Sequence, residues 1–161
     1  TRYNAELANS LGNLVNRSLS MLNRYRDGVL SVPHDELATE AIAARDKLVE
    51  QLQANELQAG LMTIWSFVAR MNQYVDETAP FKLAKDPDQA DRLSEVLYNL
   101  AEGCRLLAVW LQPYLPTTSC RILEQLHLPA DMFNIAEADW GGLAESHKIN
   151  APEALFPRRD K

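Results

Sequence analysis

The chain lacks the features on which several protein classes depend. Only two of its 161 residues are cysteines, Cys104 and Cys120, and they show no paired spacing. We therefore expect two small buried thiols in a reducing compartment, with the cytoplasm as the location. No run of about 18 apolar residues and no charged leader followed by an apolar segment occurs, so we expect neither a membrane span nor a secretion signal.

An excess of positive charge is also missing, because 16 Lys and Arg residues face 22 Asp and Glu residues, for a net charge of −6. Proteins that coat nucleic acid nonspecifically need many cationic contacts to phosphate, so the net charge argues against a protein of that class. It does not exclude a protein that recognises a few bases at one local site. Residues 1–30 reverse the balance, with four arginines against Glu6 and Asp27. Arginine is the basic residue best suited to planar recognition.

Catalytic signatures are absent as well. No Gly-rich phosphate loop, nucleophile elbow or Cys-His constellation occurs, so the chain by itself has little visible means of catalysis. Glu124 and His127 do have the spacing of metal ligands on a helix, but a di-iron site needs a second such pair and two further inward Glu residues. The alternative, a histidine near the C-terminal end of a helix, is far more common, and we expect no metal here.

What the chain does contain is helical periodicity over most of its length, with 47% apolar residues, enough for one domain with a real core. The pattern predicts an all-α fold, a bundle of about five helices over residues 1–128. The predicted helices are about 4–24, one capped by Asp35, about 56–78, one from Pro87 to Pro113, and a short one capped by Thr117 or Thr118. Residues 129–161, rich in Trp, Gly and Pro, are expected to form an extended tail across the bundle in the same domain.

A polar ridge marks the first predicted helix. Asn9, Asn13 and Arg17 recur every four residues and share one face, while Leu7, Leu11, Leu14 and Leu22 form another. Two amides and a guanidinium can read the edges of unpaired bases, since each offers paired hydrogen bonds in a plane. Taken alone, such a ridge is more often a solvated face or a set of caps.

A second constellation lies between the third and fourth predicted helices, and its members are Asn72, Tyr74, Asp76, Pro80, Phe81 and Lys85. An aromatic ring directly after a proline on a short connection is held rigidly, and Phe81 could be a stacking platform for a base. The alternative, which is more common for a lone Phe, is that Phe81 folds into the core as a lid.

With both constellations in view, the chain resembles the C-terminal anticodon-binding domains of the methionyl-tRNA synthetase family, which are class I aminoacyl-tRNA synthetases. The stretches that carry the resemblance are 7–17, 71–85, Leu111-Gln112-Pro113-Tyr114-Leu115-Pro116, Trp140-Gly141-Gly142-Leu143 and Leu155-Phe156-Pro157-Arg158. They span almost the whole chain in family order. The first is shared with synthetases for valine, isoleucine, leucine or cysteine, whereas the second and the tail are typical of methionine.

The resemblance implies roles for individual residues. Asn13 and Arg17 would contact the anticodon bases, chiefly the first, and Asn9 would support them. Phe81, after Pro80, would stack on the same base; the family usually has Trp there, so the π-face is kept but the indole N–H is lost. Asp76 and Lys85 complete the expected anticodon-binding set. Apart from the resemblance, Lys85 and Arg24 are candidates for phosphate contacts, and the alternative for each is a solvated surface charge.

The resemblance also implies partners. These are the anticodon loop of methionine tRNA and an N-terminal catalytic domain of the same enzyme, with neither DNA nor a membrane. The catalytic signatures of that domain do not occur here, so the chain looks like a fragment that is inactive alone, without cofactors of its own. ATP and Mg²⁺, with Zn²⁺ as a further candidate, would belong to the catalytic domain. Two alternatives stay open: a sister synthetase with the same bundle, and a purely structural module that braces a catalytic domain.

Overall fold

The architecture was obtained as a computed structural model, which describes residues 2–129 and 134–150. The fold is all-α, as predicted. In chain order, its elements are α1 (Arg2–Arg26), α2 (Ala38–Gln53), α3 (Leu57–Thr78), the short α4 (Pro80–Leu83), a 3-10 turn (Pro87–Gln89), α5 (Ala90–Leu111), α6 (Pro116–Gln125) and a second 3-10 turn (Ile135–Glu137).

Helix α5 is the central element of the bundle. Every residue from Val96 to Leu111 is buried, because other elements pack on all sides of the helix. Helix α3 runs antiparallel to it: Gly60 lies against Tyr114, and Met71 lies over Gly103, where an added Cβ would come within 2.5 Å of Met71 Cε. The absence of a side chain at these two glycines lets the helices approach closely.

The apolar face predicted for α1 is confirmed where its side chains are described. Leu11, Leu14 and Leu22 are buried, whereas the side chain of Leu7 lies outside the described part. The helix ends where the sequence predicted, since Gly28 has a φ of +77° and its N–H donates to Leu22 O at 3.1 Å. Gly28 is also crowded, because a Cβ there would lie 2.9 Å from Asn23 Oδ1.

The described part of the tail, residues 134–150, lies across the bundle. Its Leu143 and Ile149 are buried, and a backbone ladder joins it to the loop after α1. In that ladder the Leu30 N–H donates to His147 O at 2.9 Å and the Ile149 N–H donates to Gly28 O at 2.9 Å. The motif stretch 155–158 lies outside the described residues.

Two predicted caps are wrong. Helix α2 begins at Ala38 rather than at Asp35, because the Leu37 N–H donates to the side chain of Asn99 at 2.9 Å. Helix α6 begins at Pro116, and neither Thr117 nor Thr118 caps it. The short α4 was not predicted, and Cys120 is half-buried rather than buried. None of the helices in the described ranges is both long and apolar enough to cross a membrane.

Candidate functional site

The polar ridge of α1 faces solvent. Asn9, Asn13 and Arg17 are all exposed, and within residues 2–129 and 134–150 their side chains make no hydrogen bond or ion pair. At about 1.5 Å of rise per residue, Asn13 and Arg17 lie roughly 6 Å apart along the axis, and Asn9 lies one further turn toward the N-terminus. The ridge therefore offers free hydrogen-bonding groups to a ligand.

The connection between α3 and α4 forms a sharp elbow at Ala79, which has a left-handed φ of 45° and ψ of 64°. Pro80 follows as the first residue of α4 and is buried. The side chain of Phe81 points the other way and is 48% exposed. The core-lid alternative for Phe81 is therefore wrong in this structure, because half of the ring stays accessible.

The C-terminal end of α1 and this elbow lie at the same end of α5. Arg26 donates to Ser94 Oγ at 3.1 Å and to Ala90 O at 2.9 Å, which places the end of α1 beside the start of α5. Helix α4 packs against α5, and α3 reaches this end after passing Gly103. The fold thus brings together, at one end, two segments that are more than 50 residues apart in the sequence.

The other members of the second constellation divide into two groups. Asp76 and Lys85 are exposed near the elbow. Asn72 and Tyr74 are less accessible to a ligand. The Asn72 side chain donates to Val68 O at 3.2 Å, and Tyr74 is buried. Burial and the nearby carboxylate of Glu36 raise the pKa of the Tyr74 hydroxyl well above its usual value.

Ion pairing differs among the cationic side chains of the bundle. Arg45, Arg70 and Arg92 each pair with carboxylates, and the Arg92 guanidinium lowers the pKa of Glu36 below its usual value. By contrast, Lys82 and Lys85 have no carboxylate partner among the described residues. Arg24 is exposed and lies 5.9 Å from the centroid of the Tyr25 ring. Lys82 and Lys85 therefore lie exposed beside the elbow, unpaired within the described part of the chain, although the net charge of the chain is negative.

The sequence interpretation missed a buried ion pair that holds the tail. Glu102 is fully buried and binds Arg105 at 2.8 and 2.9 Å. Its carboxylate also accepts the N–H groups of Gly141, Gly142 and Leu143. We call these five residues the tail seat. The signal that could have found it is a Glu and an Arg three residues apart within a helix that is otherwise apolar.

Metal-ligating side chains do not cluster in the part of the chain that the structure describes: no three His, Cys, Asp or Glu residues could hold an ion together. His127, from the spacing noted above, lies with its ring centroid 6.3 Å from that of His147. Its Nδ1 contacts Lys148 O at 3.3 Å, and His147 Nε2 contacts Leu126 O at 2.6 Å. Both rings therefore contact backbone where the tail crosses α6.

Comparison with known proteins identifies a family and relatives over most of the chain. Residues 32–160 match the family model described as the anticodon binding domain of methionyl tRNA ligase. The methionine–tRNA ligase of Caldanaerobacter subterraneus subsp. tengcongensis is 38% identical over 99% of this chain and 26% of its own length. That of Bacillus subtilis is 38% identical over 98% of this chain and 25% of its own length.

Solved structures agree as well. The apo form of Mycobacterium tuberculosis methionyl-tRNA synthetase superposes with a TM-score of 0.84 at 29% identity, over all of this chain and 34% of that one. The same enzyme in complex with methionyl-adenylate gives a TM-score of 0.83 over 98% of this chain and 32% of that one. The chain spans about a quarter of the length of the curated relatives that it matches.

Proposed function

Since the chain belongs to the family of methionyl-tRNA ligase anticodon-binding domains, we propose that it binds the anticodon loop of methionine tRNA. The full-length protein would use this contact to select the tRNA to which it attaches methionine in an ATP-dependent reaction. One observation carries the proposal. It is a half-exposed aromatic ring on the Ala79–Pro80 elbow, together with exposed amide and guanidinium groups on α1 that make no hydrogen bond or ion pair among the described residues.

In the proposed mechanism, the loop splays its bases against the joint between α1 and the Pro80–Phe81 connection. The Phe81 ring stacks on a base, chiefly the first of the anticodon, which contributes roughly 1 to 3 kcal/mol with little dependence on sequence. Asn13 and Arg17 hydrogen-bond to base edges, and a good bidentate pair discriminates by roughly 1 to 3 kcal/mol. A wrong base leaves these polar groups unpaired, and specificity follows from that cost.

The remaining proposed residues support this contact. Asn9 lies one helical turn from Asn13 and supports the readers rather than contacting a base. Pro80 is buried and fixes the backbone before the ring. Asp76 lies exposed near the elbow, and Lys85 and Arg24 are exposed cations suited to phosphate contacts.

The rest of the activity belongs to the part of the protein beyond this chain. We propose that an N-terminal catalytic domain supplies it, with ATP and Mg²⁺ and with Zn²⁺ as a further candidate cofactor, and that the enzyme works in the cytoplasm. This chain alone should neither adenylate methionine nor transfer it to tRNA.

The test separates anticodon recognition from the chemistry. In the full-length protein, Arg17→Ala is expected to lower kcat/KM for tRNA charging by roughly 5- to 150-fold, the equivalent of one lost bidentate contact. Activation of methionine, measured by ATP–pyrophosphate exchange, should stay unchanged because it does not need the anticodon. Lys47→Ala is the matched control, since it removes an exposed cation on α2, away from the elbow.

Two results would count against the proposal. An equal loss in both assays would indicate that Arg17 only braces the catalytic domain, as in a structural module. Full charging activity after both Arg17→Ala and Asn13→Ala would show that the ridge does not read the anticodon.

A further inference from the structure

Ala79 has a left-handed backbone conformation, which is unfavourable for an alanine that precedes a proline. Its φ of 45° and ψ of 64° lie in the left-handed region, which is uncommon for residues other than glycine and asparagine. A residue before proline is moreover pushed toward extended backbone, so Pro80 adds to the strain. Strain of this kind persists only where the surrounding structure imposes it, and it concentrates at functional sites.

Hydrogen bonds on both sides hold Ala79 in this conformation. Its N–H donates to Val75 O at 2.9 Å and so ends α3. Its carbonyl accepts the N–H of Lys82 at 2.9 Å and that of Leu83 at 3.2 Å and so begins α4. Ala79 therefore ends α3 and starts α4, and its φ and ψ angles set the angle between the two helices.

The direction of Phe81 follows from this angle. Pro80 is buried, and Leu83 packs partly buried against the core, so one side of α4 is fastened to the bundle. Phe81 is then left on the other side, 48% exposed. An extended backbone at Ala79, which Pro80 favours, would break the bonds to Lys82 and Leu83 and turn the ring elsewhere.

We propose that Ala79 is a positioning residue for anticodon recognition: its left-handed backbone aims the Phe81 ring at the incoming base. This inference rests on the proposed function and adds a residue that never touches the RNA. A ring that is already oriented loses less entropy when it stacks.

The test replaces Ala79 with residues that differ in how well they tolerate a positive φ. Ala79→Val, which is β-branched, opposes the left-handed backbone, whereas Ala79→Gly accepts it without strain. In the full-length protein, Ala79→Val should lower kcat/KM for charging of methionine tRNA about tenfold, as for a lost stack. Ala79→Gly should keep charging within about twofold of the original protein.

A matched control separates positioning from general strain. Asn55 also has a positive φ, of 60°, after α2 and away from the elbow. Asn55→Val imposes the same kind of backbone strain there, and it should leave charging unchanged. Methionine activation by ATP–pyrophosphate exchange should stay unchanged in every variant, which also reports that the enzyme is folded.

A double-mutant cycle with Phe81→Ala gives the decisive readout. If Ala79 acts through the ring, Ala79→Val causes no further loss once the ring is absent. An additive loss, or full charging by Ala79→Val, would overturn the assignment. If Ala79→Val fails to fold, Ala79→Leu opposes the left-handed backbone without a β-branch, with a smaller expected loss and the same dependence on Phe81. If Phe81→Ala itself leaves charging unchanged, the proposed stacking fails, whereas normal charging by Ala79→Val beside a defective Phe81→Ala refutes only the role of Ala79.

Discussion

Neutralising Glu102 should loosen the tail and strongly destabilise the bundle. The Glu102 carboxylate is fully buried, and it faces the Arg105 guanidinium and three backbone N–H groups of the tail. Glu102→Gln keeps the size of the side chain but leaves the Arg105 charge buried without a counter-charge, and breaking a buried pair in this way costs about 3 to 5 kcal/mol. For a chain of this length, that corresponds to a fall in Tm of roughly 6 to 20 °C.

The measurement is urea unfolding of the 161-residue chain, together with hydrogen exchange of the backbone amides of 141–143. We expect a lower midpoint, an unchanged slope, and faster exchange of these three amides than of those in α3. Glu95→Gln is the control, because Glu95 pairs with Arg92 in a solvent-accessible position, where an ion pair contributes at most about 1 kcal/mol. A loss of less than about 1 kcal/mol for Glu102→Gln would refute the argument.

Two further predictions concern titratable groups. Burial raises the pKa of the Cys104 thiol to about 12, so under native conditions near pH 8 a thiol reagent should label the half-buried Cys120 first and Cys104 only after unfolding; rapid labelling of both would contradict this burial. The hydrogen bond from Arg92 is the main cause that lowers the pKa of Glu36 below its usual value of 4.5. The Glu36 carboxylate therefore stabilises the fold above pH 4.5, and this stabilisation is lost as the pH falls below that value and the group is protonated. In Glu36→Gln, the urea midpoint should therefore fall less steeply between pH 5 and pH 3 than in the original chain, and parallel curves would exclude the effect.

The helices could be predicted from the sequence because their information is local. Leu11, Leu14 and Leu22 repeat with the period of a helix, and Gly28 accepts the left-handed backbone that ends α1. The two caps could not be predicted in the same way. The side chain of Asn99 satisfies the N–H of Leu37 from 62 residues further along the chain, so the local signal of Asp35 competes with a partner that only the folded bundle supplies.

The candidate site was predictable to a similar extent. The spacing of Asn13 and Arg17 indicated a shared face, and the structure leaves both exposed. The sequence did not decide whether Phe81 is exposed or buried, because the sequence alone does not indicate which side of a short helix packs on the core. Ala79 escaped notice for a physical reason: an alanine before a proline predicts extended backbone, and only the hydrogen bonds from Lys82 and Leu83 make the left-handed state the stable one.

The tail seat has a consequence for the order in which the chain is made. Glu102 is synthesised 41 residues before Leu143, with which it pairs, and at about 5 to 20 residues per second this is a delay of roughly 2 to 8 s. Until residues 141–143 have been made, the Glu102 carboxylate lacks the three backbone donors that satisfy it in the folded structure. The tail seat therefore forms only after the whole of α5 and α6 has been synthesised.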